Sequence, residues 1–149
     1  MKKIFKTDGS ISDIYKAHLG DKVSRPLFEI KVPAGFPSPA TDYTEKELDL
    51  NEHLIAHPKH TYFMKVDGYS MIGAGIYPGD LAVIDRAIEP CSNRIVIALV
   101  DGEFMLKRLI IDKGEYWLVP ENDEFKPTKI TEDADFIIWG VVTYVIHQV

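Results

Sequence analysis

Beyond residue 60 the chain is built from short runs dense in Val, Ile, Leu, Phe and Tyr, at 61–66, 81–85, 94–100, 103–111, 116–119 and 136–146. Such residues suit a pleated, half-buried surface, and turn residues separate the runs. Pro78-Gly79-Asp80 fits a type II turn, and Asp101-Gly102 between two apolar runs is a strong hairpin signal. Six strands at short spacing, with no helices alternating between them, predict a mainly β body of mostly antiparallel strands. No internal repeat is visible.

One short helix is predicted, at about residues 49–57. Asp49 and Glu52 have capping-box spacing, Leu50 and Leu54 share a face, and Pro58 ends the helix. Upstream, Pro33-Ala34-Gly35-Phe36-Pro37-Ser38-Pro39-Ala40 packs three prolines and a glycine into eight residues, which predicts an extended linker. Residues 1–34 hold too few apolar positions for a core and are too short for a helix-turn-helix domain with its supporting helices. They read as an extended N-terminal arm.

Charge narrows the function. Residues 1–34 carry seven Lys or Arg against four Asp or Glu, net +3, while residues 35–149 carry ten against nineteen, net −9. An overall charge of −6 gives the chain no general reason to approach a phosphate backbone, so direct sequence-specific DNA binding is not expected. Cys91 is the only cysteine, which excludes an internal disulfide and a Cys-rich metal site and fits a reducing cytoplasm. The basic opening runs into Thr7-Asp8-Gly9-Ser10 rather than an apolar stretch, so no signal peptide is expected, and the longest apolar stretch, 136–146, is too short to span a bilayer.

Two places could carry chemistry. Gly68-Tyr69-Ser70-Met71 follows an apolar strand and precedes Gly73 and Gly75. Glycines around a serine let the backbone turn sharply and a substrate approach the hydroxyl, and nearby amides could hold an oxyanion. The same pattern also suits an ordinary loop, and the G-x-S-x-G elbow is absent because position 72 is Ile. A serine nucleophile needs a base. Lys107 shares its strand face with Met105 and Leu109, and burial there without a carboxylate partner would disfavour an ammonium, as a lysine base requires. The plainer reading is a lysine that snorkels from a sheet edge to water.

His53 and His57, four apart on the predicted helix, with His60 beyond, offer a rival reading as metal ligands. No cysteine or clear carboxylate cluster accompanies them, so an exposed polar face is preferred and neither metal nor cofactor is expected. A Ser-His-Asp triad of Ser70 and one of these histidines ranks below the serine-lysine pair.

Taken in order, Gly35-Phe36-Pro37-Ser38-Pro39-Ala40, Asp49-Leu50-Asn51, Gly68-Tyr69-Ser70-Met71, Gly79-Asp80-Leu81, Asp101-Gly102-Glu103-Phe104, Lys107 and Pro120-Glu121-Asn122 resemble the UmuD branch of the LexA/UmuD family of self-cleaving proteins. The resemblance runs from about Pro26 to the C-terminus. It implies a β body like that of LexA and the signal peptidases, with Ser70 as nucleophile, Lys107 as neutral base, backbone amides near Tyr69 and Ser70 as oxyanion hole, and Ala34-Gly35 as the scissile bond. Pro33 and Pro37 favour the extended geometry of a docked strand, and Ala34 and Gly35 are small enough for a tight site.

The resemblance further implies removal of residues 1–34 when a RecA filament on single-stranded DNA favours cleavage, leaving residues 35–149 as a peptidase-like domain. The implied role is the SOS response to DNA damage. The shortened form would serve as homodimeric accessory subunit of a UmuC-like error-prone translesion DNA polymerase. Residues 1–22 have no counterpart in the family pattern, and the arm is longer than is usual there. Two alternatives stand beside this reading: a dimerisation and polymerase-docking module with vestigial self-cleavage, which the presence of both Ser70 and Lys107 disfavours, and a signal-peptidase-like enzyme, which would need a membrane anchor.

Overall fold

The computed structural model describes residues 5–28 and 45–149. In chain order the strands are β1 (Lys6–Thr7), β2 (Ile11–Lys16), β3 (Ser24–Phe28), β4 (Glu45–Asp49), β5 (Thr61–Val66), β6 (Leu81–Asp85), β7 (Ile95–Val100), β8 (Glu103–Asp112), β9 (Glu115–Val119), β10 (Thr128–Lys129) and β11 (Phe136–Ile146). Helix α1 (Leu50–Leu54) follows β4, and 3-10 turns stand at Pro58–His60 and Ile72–Ala74. The six runs expected as strands are strands, with ends displaced by one residue at most.

The chain divides into a larger unit, comprising residues up to Ala17 and His57–Val149, and a smaller one, His18–Ala56. In the larger unit the sheet order is β10-β9-β8-β7-β11-β6-β5-β2, with β1 added to β8. Every pairing is antiparallel except that of β1 with β8. The two-residue turn between β7 and β8 has positive φ at Asp101 and Gly102, the backbone an Asp-Gly hairpin demands. Tyr77-Pro78-Gly79-Asp80 closes through Asp80 N–H to Tyr77 O at 3.1 Å with Gly79 at φ +92°, as expected of a type II turn.

The side-chain period of two divides β7 between two apolar clusters. Ile97 faces one with Ile11, Met64, Met71, Ile84 and Leu106, whereas Val96, Ala98 and Val100 face another with Leu109, Leu118 and Val141. Buried on both sides, β7 explains its unbroken run of apolar residues. β11 serves two neighbours, pairing through its first half with β7 and through its second with β6, with register shifts at Ile138/Gly140 and Val142/Tyr144.

Part of the N-terminal arm is paired into the sheet. Residues 6–7 and 11–16 are strands of the larger unit's sheet, β2 lying along β5 from Ile11 opposite Val66 to Lys16 opposite Tyr62. Ile11 is fully buried, so the segment contributes to the core that it is too poor in apolar residues to form alone. In the smaller unit, β3 pairs with β4 and α1 follows directly. Asp49 caps the helix as anticipated, its Oδ1 accepting from Glu52 N–H at 3.1 Å while Oδ2 accepts from Val23 N–H at 2.6 Å. The helix ends at Leu54 rather than near residue 57, and Leu50 is exposed instead of lying on a buried face. The linker 33–40 lies outside the described residues.

Candidate active site

The turn that carries Ser70 is fastened to the segment after β9. Ser70 O accepts from Glu121 N–H at 2.8 Å, Glu121 O accepts from Gly73 N–H at 2.7 Å, and Asn122 Nδ2 donates to Tyr69 O at 2.8 Å. The Glu121 carboxylate in turn accepts from Arg108 Nε, whose guanidinium also donates to Asn93 O at 2.6 Å. Glu121 and Asn122 thus clamp the turn that carries Ser70. The amide N–H groups of Tyr69 and Ser70 make no hydrogen bond among the described residues.

Lys107 comes from β8, on the face of Met105 and Leu109 that packs into the second cluster, as the strand period requires. Its Nζ lies 3.3 Å from Ser70 Oγ and 3.1 Å from Leu106 O. Both residues are buried, at 6% and 8% exposure, so the amine does not snorkel to solvent. A hydroxyl and an amine so placed can act together as nucleophile and base whenever the amine is uncharged.

One expectation about this lysine is overturned. It has a carboxylate partner, since Nζ also donates to Asp8 Oδ2 at 2.8 Å. Asp8 lies 99 residues away in sequence, and nothing local to Lys107 announces it. Thr7-Asp8-Gly9-Ser10 carries a turn signal, but that signal says nothing of where the turn docks. Asp8, Gly9, Ser10, Tyr69, Ser70 and Lys107 line one cleft of about 270 Å³, to which Met105, Phe125 and Lys126 also contribute. Ala34 and Gly35 lie outside the described residues.

The histidines go elsewhere. His57 Nδ1 contacts the buried Asp85 Oδ2 at 2.6 Å, and the described side-chain partner of the Ser70 hydroxyl is Lys107. Among the described residues no cluster of three or more His, Cys, Asp or Glu is placed to hold a metal ion, and no helix is long and apolar enough to cross a membrane. Cys91 is exposed and unpaired.

Comparison with known proteins agrees with the geometry. A family described as Peptidase S24-like matches residues 26–143. Protein ImpA of Salmonella typhimurium is 48% identical over 129 residues, covering 86% of this chain and 87% of that protein. Protein SamA of Salmonella typhimurium strain LT2 is 49% identical over 123 residues, 83% and 85% of the two chains. The LexA repressor of Bordetella petrii is 35% identical over 133 residues, which are 88% of this chain but 59% of the repressor. On these similarities and on its antiparallel β body, the chain belongs to the Peptidase S24-like family, in the LexA/UmuD group of self-cleaving serine proteases.

Proposed function

We propose that the chain cleaves itself between Ala34 and Gly35, with Ser70 as nucleophile and Lys107 as general base. The observation that carries this reading is the 3.3 Å approach of Lys107 Nζ to Ser70 Oγ in a buried setting. In the reaction, neutral Nζ takes the Ser70 hydroxyl proton as Oγ attacks the Ala34 carbonyl carbon. The amides of Tyr69 and Ser70 stabilise the oxyanion. The bond to Gly35 nitrogen then breaks, the ammonium returns its proton to the departing amine, and water releases the acyl group from Ser70.

Cleavage removes residues 1–34 and leaves residues 35–149. The likeness to the UmuD branch supports an SOS-response role in which a RecA filament on single-stranded DNA stimulates the cut. The shortened chain then serves, as a homodimer in the cytoplasm, as the accessory subunit of a UmuC-like error-prone translesion polymerase.

Intact mass spectrometry after incubation at alkaline pH tests the chemistry. The expected result is one pair of fragments divided after Ala34, absent from Ser70→Ala. A Ser70→Ala chain that still divides there removes the serine from the mechanism. A parent chain uncut both in alkali and with RecA filaments points to the docking module without catalysis.

A further inference from the structure

The cleft that holds Ser70 and Lys107 is walled on one side by the chain's own N-terminal segment. Lys6 and Thr7 add a parallel strand to β8 opposite Glu103 and Phe104, and Asp8 N–H extends the pairing to Phe104 O at 3.1 Å. Phe5 packs edge-to-face on Phe104, with ring centres 5.8 Å apart. Ser10 anchors the turn at three points: its carbonyl accepts from Asp67 N–H at 2.8 Å, and its Oγ accepts from Leu106 N–H at 2.9 Å while donating to Asp8 Oδ1 at 2.5 Å. With Oδ1 fixed by Ser10, Oδ2 is presented to Lys107 Nζ at 2.8 Å, nearer than the Ser70 hydroxyl at 3.3 Å.

An ammonium has no lone pair with which to accept the serine proton. To act as base, Nζ has to turn a free lone pair toward the Ser70 hydroxyl, and here it is engaged by the Asp8 carboxylate at 2.8 Å and by Leu106 O at 3.1 Å. The charged and titratable side chains lining the cleft are Asp8 from the turn after β1, Tyr69 beside Ser70, Lys107 itself and Lys126 from the segment before β10. Asp8 is the only carboxylate of the lining among the described residues.

We propose that residues 5–10 are a built-in brake on self-cleavage, in which Asp8 engages Lys107 Nζ in an ion pair while the Asp8-Gly9-Ser10 turn fills space that the Ala34-Gly35 segment has to enter. The proposal rests on the assignment of Ser70 and Lys107 made above. Asp8 and Ser10 precede the part of the chain matched by the family, residues 26–143, so the brake belongs to this chain's own N-terminal segment. Asp8 acts through Lys107 and is a positioning residue. A cut after Ala34 would detach it along with the rest of the segment.

Two variants separate the charge from the docking. Asp8→Asn keeps the shape of the side chain and its hydrogen bond to Ser10 but removes the carboxylate. Phe5→Ala loosens the segment without touching the cleft. Self-cleavage at neutral pH should quicken about tenfold in Asp8→Asn, the size of one charge-assisted hydrogen bond, and should also quicken in Phe5→Ala. A second readout does not depend on cutting: in a Ser70→Ala background, the Lys107 ¹³Cε resonance should move at neutral pH once Asp8→Asn is added, because Nζ loses its carboxylate contact. A parent chain that cuts while Asp8→Asn cuts no faster overturns the brake, and so does an unmoved resonance. A moved resonance in chains that never cut leaves the Asp8 hold on Lys107 standing and removes the peptidase assignment instead.

Discussion

Gly73 donates its N–H to Glu121 O at 2.7 Å, and a Cβ on Gly73 would stand 2.5 Å from that same oxygen. The contact is between backbones, so neither side can yield by turning a rotamer. Through it, and through Glu121 N–H to Ser70 O, the serine turn takes its position from the segment after β9. Gly73→Ala therefore forces the two turns apart. It should lower stability by about 1–3 kcal/mol, as overpacking does, and should slow self-cleavage by more than the loss of folded chain explains. Urea unfolding and the cleavage rate of the same preparation check both parts. An alanine variant of parental stability and rate would show that the clamp does not set the serine.

Lys107→Ala removes the amine but leaves Ser70, its turn and the amides of Tyr69 and Ser70 in place. General-base catalysis typically contributes about 10²–10⁴-fold, so neutral-pH cleavage should fall by that factor. Part of the rate should return in alkali, where hydroxide can ionise the serine directly. The appearance of the fragment ending at Ala34, followed by mass against pH, measures both effects. Parental activity at neutral pH would exclude the lysine from the mechanism.

Much of the larger unit was legible because its signals are local. β5, β6, β7, β8, β9 and β11 are runs of branched and aromatic residues, and Asp101-Gly102 and Pro78-Gly79 carry the backbone their turns require. The missed elements are those held by distant partners. β2, Ile-Ser-Asp-Ile-Tyr-Lys, becomes a strand because β5 offers it an edge some fifty residues away, and β1 is two residues long. β3 contains Pro26 and β4 is Glu-Lys-Glu-Leu-Asp, so intrinsic preference argues against both, and among the described residues they pair only with each other. The site divides in the same way. Ser70 and Lys107 each announce themselves through their neighbours, whereas Asp8 acquires meaning only when β1 docks on β8.

Asp49 supplies a pH dependence confined to the smaller unit. The backbone N–H of Glu52, and after it that of Val23, hold its carboxyl below the ordinary aspartate value. A carboxylate depressed in the folded state contributes stability that is present above its unfolded value and lost as pH falls through its folded one. The capped end of α1 and its tie to Val23 should therefore hold through neutral pH and release only below about pH 4. The Val23 and Glu52 amide resonances, followed into acid, should move together at a pH below that of a free aspartate. In Asp49→Asn this transition should vanish, and two unrelated midpoints in the parent chain would separate the cap from the tie.

Ile11 tests whether the N-terminal segment is part of the fold or an appendage. Its side chain is fully buried beside Met64, Val66 and Leu106, and among the described residues its strand pairs with β5 alone. Truncating a buried isoleucine costs about 2–5 kcal/mol where the cavity cannot collapse. Here an edge strand can detach instead, so the loss should appear first as local release. Ile11→Ala should make the bond after Lys16 accessible to trypsin under conditions in which residues 57–149 stay protected, and should quicken self-cleavage by freeing the Asp8 turn. Mass analysis of a limited digest, run beside the cleavage assay, reads both. An Ile11→Ala chain in which Lys16 remains protected would mean that backbone pairing with β5 alone holds the segment. A released segment with unchanged cleavage would mean that its docking does not govern the site.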